Sequence, residues 1–83
     1  MTKEEILFLL ERLKEENKPV CLRIYCRGNI AIYAYDNYSL LNTYTYENGI
    51  FSFAIGDGIY VEAKPESFNE INVHGRFITI FEE

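Results

Sequence analysis

The amino-acid sequence predicts an α+β domain, with an N-terminal helix packed on a curled antiparallel β-meander of about six strands. Three observations carry this expectation. Ile6, Leu9, Leu10 and Leu13 recur at helical spacing near the N-terminus. Beyond Pro19 the chain alternates apolar and polar residues in short runs. Those runs are punctuated by Gly28-Asn29, Asn48-Gly49 and Asp57-Gly58, the residue pairs of tight hairpin turns.

The helix opens with a capping box. Thr2 is placed to accept from the backbone N–H of Glu5, and the Glu5 carboxylate to reach back. The helix is expected to run to about Asn17, because Pro19 disfavours helical backbone at Lys18. Leu7 and Phe8 widen the apolar stripe, and Glu11, Arg12, Lys14 and Glu15 mark the wet side. Phe8 is a large ring at the edge of that stripe.

The segment VCLRIYCRGNIAIYAYD reads as a hairpin turning at Gly28-Asn29, with Tyr25 opposite Ile32 and Ile24 opposite Tyr33. One face then carries Leu22, Ile24, Cys26, Ala31, Tyr33 and Tyr35 and is the core candidate. The other carries Arg23, Tyr25, Arg27, Ile30, Ile32 and Ala34. DNYSLLN links to a second hairpin, in which Asn48-Gly49 sets Tyr46 against Phe51 and Tyr44 against Phe53. That row of rings opposes a small, polar face of Thr43, Thr45, Ser52 and Ala54, a contrast that pins the register. Asp57-Gly58 turns the chain again, setting Ile55 opposite Tyr60 and Ala54 opposite Val61. KPESFNE reads as a loop or a single turn, in which Ser67 and Glu70 could make a second, weaker capping box. In INVHGRFITIF, Ile78 and Ile80 alternate with Phe77, Thr79 and Phe81, and His74-Gly75 is either a turn or a bulge.

The chain of 83 residues is read as a single domain, 1–83, and its 48% hydrophobic and 25% charged residues are a globular balance. No apolar run reaches the length of a bilayer span, and the first residues are acidic where a signal peptide carries base. A cytoplasmic protein without membrane partners is therefore expected. Cys21 and Cys26 lie five apart on one strand, so they face opposite ways and do not pair. With the lone His74 they make a poor zinc set, and no metal or cofactor is expected. The net charge of −5 argues against direct binding of nucleic acid, which needs a basic surface. It suits a protein partner with a basic surface.

Catalysis is not expected. His74 stands beside Gly75 without a nucleophile spaced for it, and Gly56-Asp57-Gly58 precedes no helix that would make it a phosphate loop. Two surfaces remain as binding candidates, each with an ordinary structural alternative. Glu11 and Glu15 on the helix, with Tyr44 and Tyr46, form a candidate docking surface for a protein; the plain alternative is solubility for the acids and core for the rings. Arg23, Tyr25 and Arg27 on one strand face, with Arg76 and His74 as candidates to join them, form a candidate pocket for a nucleotide-like ligand; the plain alternative is a solvated sheet face. The aromatic load of seven Tyr and six Phe is high for so small a core, which raises the expectation of a homodimer or a complex.

In size, acidity and helix-plus-meander plan, the chain resembles the small inhibitor proteins that phages make against host defence, anti-CRISPR proteins among them. The resemblance implies a non-enzymatic protein that binds and blocks a larger one, and it assigns no site residues. A nucleotide-like ligand binder or sponge acting as an oligomer is the alternative expectation, and a homo-oligomeric structural protein is a third.

Overall fold

The structure is a computed structural model that describes residues 1–36 and 39–82, with side chains described for all of these except residues 33–36 and 39. The helix α1 spans Lys3–Glu16. Seven strands follow: β1 Val20–Cys26, β2 Asn29–Asp36, β3 Thr45–Glu47, β4 Ile50–Gly56, β5 Ile59–Ala63, β6 Phe68–Asn72 and β7 Phe77–Glu82. A short helix α2, Ser39–Thr43, lies between β2 and β3, and a single 3₁₀ turn, Pro65–Ser67, leads into β6. The α+β class is as expected. The strands divide into two open sheets, ordered β2-β1-β7-β6 and β3-β4-β5.

α1 begins where its capping box places it. The Thr2 hydroxyl accepts from the Glu5 N–H at 3.2 Å, and Glu5 accepts from the Thr2 N–H at 3.2 Å. These bonds to Thr2 favour the ionised carboxylate and lower the Glu5 pKa. The helix ends in a left-handed C-cap at Asn17, with φ 50° and ψ 48°. Ile6, Leu10 and Leu13 are fully buried, whereas Phe8 stands 62% exposed on the far side. Leu7 widens the apolar stripe, packing half-buried against the core, whereas Phe8 does not.

The core lies between the two sheets and α1. Val20, Leu22 and Ile24 of β1 meet Ile78 and Ile80 of β7, Phe68 and Ile71 of β6, and Phe51 and Phe53 of β4. The rings of Phe51 and Phe53 stand 5.3 and 6.1 Å from that of Phe68 and join the sheets. Tyr46 packs on Phe51 at 4.4 Å and Tyr44 on Phe53 at 6.1 Å, as their register across Asn48-Gly49 dictates. The aromatic row is thus core at its phenylalanines and rim at its tyrosines.

Four expectations are corrected. First, β1 and β7 pair in parallel, Leu22 beside Ile78 and Ile24 beside Ile80, so the first and last strands are the centre of one sheet and the chain is not a simple meander. Second, the β1–β2 turn is Arg27-Gly28, with φ 54° and 83°, and not Gly28-Asn29. A type I′ turn needs positive φ at both central residues, and glycine fits the second of them. An irregularity past Tyr25 then sets Ile24 opposite Ile32, and Ile32 packs against the core instead of joining the arginine face. The expected face positions of Tyr33, Ala34 and Tyr35 lie outside the described side chains. Third, a bulge at Ile55 sets Ala54 opposite Tyr60 and Phe53 opposite Val61. Fourth, no helix starts at Ser67; Phe68 enters β6 directly, so the second capping box does not form. The segment read as a plain link contains α2, and its residues 37 and 38 lie outside the described set.

His74-Gly75 is a turn between β6 and β7. Asn72 accepts from the Gly75 N–H at 2.6 Å, and a Cβ at Gly75 would meet the Phe77 ring at 2.9 Å. Arg76 leaves the turn with φ 57°. Its Nε donates to the Pro19 carbonyl at 3.0 Å, and its Nη2 to the carbonyls of Leu13 at 3.1 Å and Lys18 at 2.6 Å. Its Nη1 pairs with Glu16 at 3.0 Å. One guanidinium thus satisfies carbonyls left open at the end of α1, where the helix dipole favours a cation. Arg76→Ala is expected to destabilise the fold by about 2 kcal/mol, since it removes the donors of part-buried carbonyls at the end of α1. Arg76→Lys should recover only part of this, because an ammonium lacks the fork. Urea unfolding measures both, and a loss below about 1 kcal/mol for Arg76→Ala would contradict the assignment.

Candidate functional site

Among the described residues, no helix or second sheet covers the outer face of the four-stranded sheet. Residues that alternate with the core positions of β1 and β7 project onto it. Arg23 lies beside Thr79 and Tyr25 beside Phe81 across the parallel pair, and Thr79 lies beside Glu70 on β6. Together with Arg27, Gly28, Asn69 and Glu82 they line an open concavity of about 900 Å³.

Local packing fixes several of these groups. The Arg23 guanidinium lies over the Phe77 ring at 4.1 Å, a cation–π contact. Its Nε is buried without a hydrogen-bond partner. Phe77 in turn rests against Gly75, so the turn glycine leaves room for the ring that supports Arg23. Tyr25 meets Phe81 edge to face, at 5.4 Å and 89°, and Phe81 remains 50% exposed. Thr79 sits between the arginine and the carboxylate, only 6% exposed. The Arg27 N–H donates to the Glu82 carbonyl at 3.4 Å, which ties the turn to the end of β7.

The concavity holds two charges of each sign. Arg23 and Arg27 stand on β1 and its turn, and Glu70 and Glu82 on β6 and β7. Among the described residues the ion pair is between Arg76 and Glu16, and none joins these four groups. Unpaired arginines beside exposed rings can take an anionic group attached to a flat ring.

Of the residues singled out in the sequence, Arg23, Tyr25 and Arg27 do come together. Arg76 is absent from this concavity; it lines a neighbouring one of about 500 Å³ together with Arg23, His74 and Phe77, with its donors engaged at the end of α1. Thr79, Phe81, Asn69, Glu70 and Glu82 were missed. The alternation of Phe77, Thr79 and Phe81 was visible, but nothing local announced that this strand lies against β1.

The docking candidates are divided. The Tyr44 hydroxyl donates to Glu11 at 2.9 Å, and Tyr44 and Tyr46 are half-buried against the core. Lys3 stands 5.8 Å over the Tyr46 ring. Glu15 is exposed one turn beyond Glu11. Among the described residues no group of three or more His, Cys, Asp and Glu could hold a metal ion, and no helix is long and apolar enough to cross a membrane. No protein-family model matches the chain, and no curated protein or solved structure matches it either.

Burial raises the Tyr44 pKa from 10.0 to about 12, reinforced by its hydrogen bond to Glu11 and by that carboxylate's charge. The folded state therefore holds this proton more tightly than the unfolded chain does. The resulting stabilisation is complete below pH 10 and is lost as the pH rises toward about 12. Stability is expected to fall across that window, and Tyr44→Phe to flatten the fall. Denaturant midpoints measured at stepped alkaline pH check this; an unchanged slope in Tyr44→Phe would contradict it.

Proposed function

We propose that the protein is a non-enzymatic binder of a nucleotide-like small ligand, which it holds on the outer face of the four-stranded sheet. The observation that carries this reading is the convergence of Arg23, Arg27, Tyr25 and Phe81 on one open concavity. Arg23 lines the concavity with its guanidinium 4.1 Å over the Phe77 ring, and Arg27 lines it from the turn. A phosphate fits a guanidinium through charge-assisted hydrogen bonds. An aromatic base fits the exposed ring of Phe81 by stacking. Neither contact needs a general base or a nucleophile, so the ligand is held and not turned over. Cys21 and Cys26 are free thiols, which suits a reducing cytoplasm. A second copy laid over the open face would shield the ligand from water.

The test is native mass spectrometry with an equimolar set of nucleoside 5′-monophosphates. A discrete added mass is expected for the wild type. Arg23→Ala combined with Arg27→Ala should weaken binding by at least tenfold while circular dichroism stays unchanged. Equal binding by the double variant would sink the reading.

One observation favours a second reading, docking on a larger protein. Phe8 stands 62% exposed on the acidic side of α1, with Glu4, Glu11 and Glu15 at helical spacing around it. An exposed ring flanked by these acids, with Arg12 6.0 Å over it, suits a basic groove lined by apolar residues, and the resemblance to phage inhibitors makes the nucleic-acid channel of an RNA-guided nuclease the probe. Glu11→Lys with Glu15→Lys should abolish association with such a nuclease, whereas Tyr44→Phe, which removes only the bond to Glu11, should not. Association that survives the charge reversal rules out the acidic face.

A further inference from the structure

The edge strand β6 is irregular where it borders the concavity. Phe68 pairs with Ile80 and Glu70 with Thr79, so Asn69 is an extra residue in the ladder. A regular strand sends consecutive side chains to opposite faces; a bulge re-aims one of them. Phe68 stays buried in the core, and Asn69 and Glu70 both line the concavity. An amide and a carboxylate thus stand side by side at the rim opposite Arg23. In the row Arg23–Thr79–Glu70 they lie two strand spacings from the arginine, roughly 10 Å across the sheet. That separation is of the order of the reach from the phosphate of a mononucleotide to the edge of its base.

The donors and acceptors of this pair are specific. A carboxylate offers acceptors only, and an amide adds a donor. Glu70 receives a single long bond, 3.4 Å from Asn72, which leaves acceptor capacity facing the concavity. A guanine edge presents a carbonyl acceptor followed by ring N–H and amino donors, the complement of an amide N–H beside a carboxylate. An adenine edge offers an amino donor, but its ring nitrogen acceptor would face the carboxylate lone pairs.

We infer that the Asn69–Glu70 bulge reads the base edge, and that the ligand is a guanine mononucleotide with its phosphate toward Arg23. This rests on the nucleotide reading of the sheet face. The two arginines and the net charge of −5 favour a free nucleotide over a strand.

The experiment is isothermal titration of the full chain with GMP, AMP and a single-stranded tetranucleotide containing one guanine. GMP is expected to bind roughly 10–100-fold more tightly than AMP. Glu70→Gln should bring the two within about threefold, weakening GMP and relieving the lone-pair clash with AMP, while thermal stability stays unchanged, and Asn69→Ala should weaken GMP in part. Equal affinity of the wild type for GMP and AMP overturns the inference and leaves the ligand site standing. So does a guanine preference that survives Glu70→Gln. Failure of both nucleotides to bind a folded protein overturns the site as well. A tetranucleotide bound tenfold more tightly than GMP assigns the guanine to a strand and overturns the free-nucleotide form.

Discussion

Arg76 joins parts of the chain that are far apart in sequence. Its guanidinium reaches the last turn of α1, the connection into β1 and the side chain of Glu16, and its own carbonyl accepts from the Cys21 N–H at 3.0 Å. That last bond starts the parallel ladder of β1 and β7. A parallel pair needs a long crossover, and here almost the whole domain supplies it. Closing so long a loop is entropically unfavourable and must be offset by contacts made at once when the strands meet. The charge-assisted bonds of Arg76 and the facing pairs Leu22–Ile78 and Ile24–Ile80 are those contacts.

The candidate site follows from that pairing. Because β7 lies beside β1, Phe77 supports Arg23, Phe81 meets Tyr25, and Thr79 bridges toward Glu70. Had β1 ended the sheet, its arginines would flank an edge open to water. The same ladder sorts residues by parity: Ile78 and Ile80 go inward, while Phe77, Thr79 and Phe81 go outward. Core and site are thus the two faces of one strand pair. A substitution that slips the register would harm both.

Local features of this fold were legible in the sequence and non-local ones were not. The capping box at Thr2 and Glu5, the aromatic register across Asn48-Gly49 and the outward set of Arg23, Tyr25 and Arg27 depend on residues close together in the chain. The division into two sheets and the β1–β7 pairing depend on which hairpins meet, and turn residues carry no record of that. Between these limits are the bulges at Ile55 and Asn69, where one inserted residue shifts a register that simple alternation would have set. The turn at Arg27-Gly28 was within reach. Asn48-Gly49 places its glycine second, and the same rule applied to Gly28 selects Arg27 as the first turn residue. Arg76 looked like one more cation for a ligand, because its carbonyl partners at Leu13, Lys18 and Pro19 become visible only once the chain has folded.

Backbone chemical-shift mapping of the labelled protein during titration with GMP tests most directly whether the outer face of the four-stranded sheet holds the ligand. Saturable shifts are expected at residues 23–28, 69–70 and 79–82, with α1 and the three-stranded sheet unmoved. Shifts centred on α1 around Phe8, or no saturable shift at any residue, would contradict that placement.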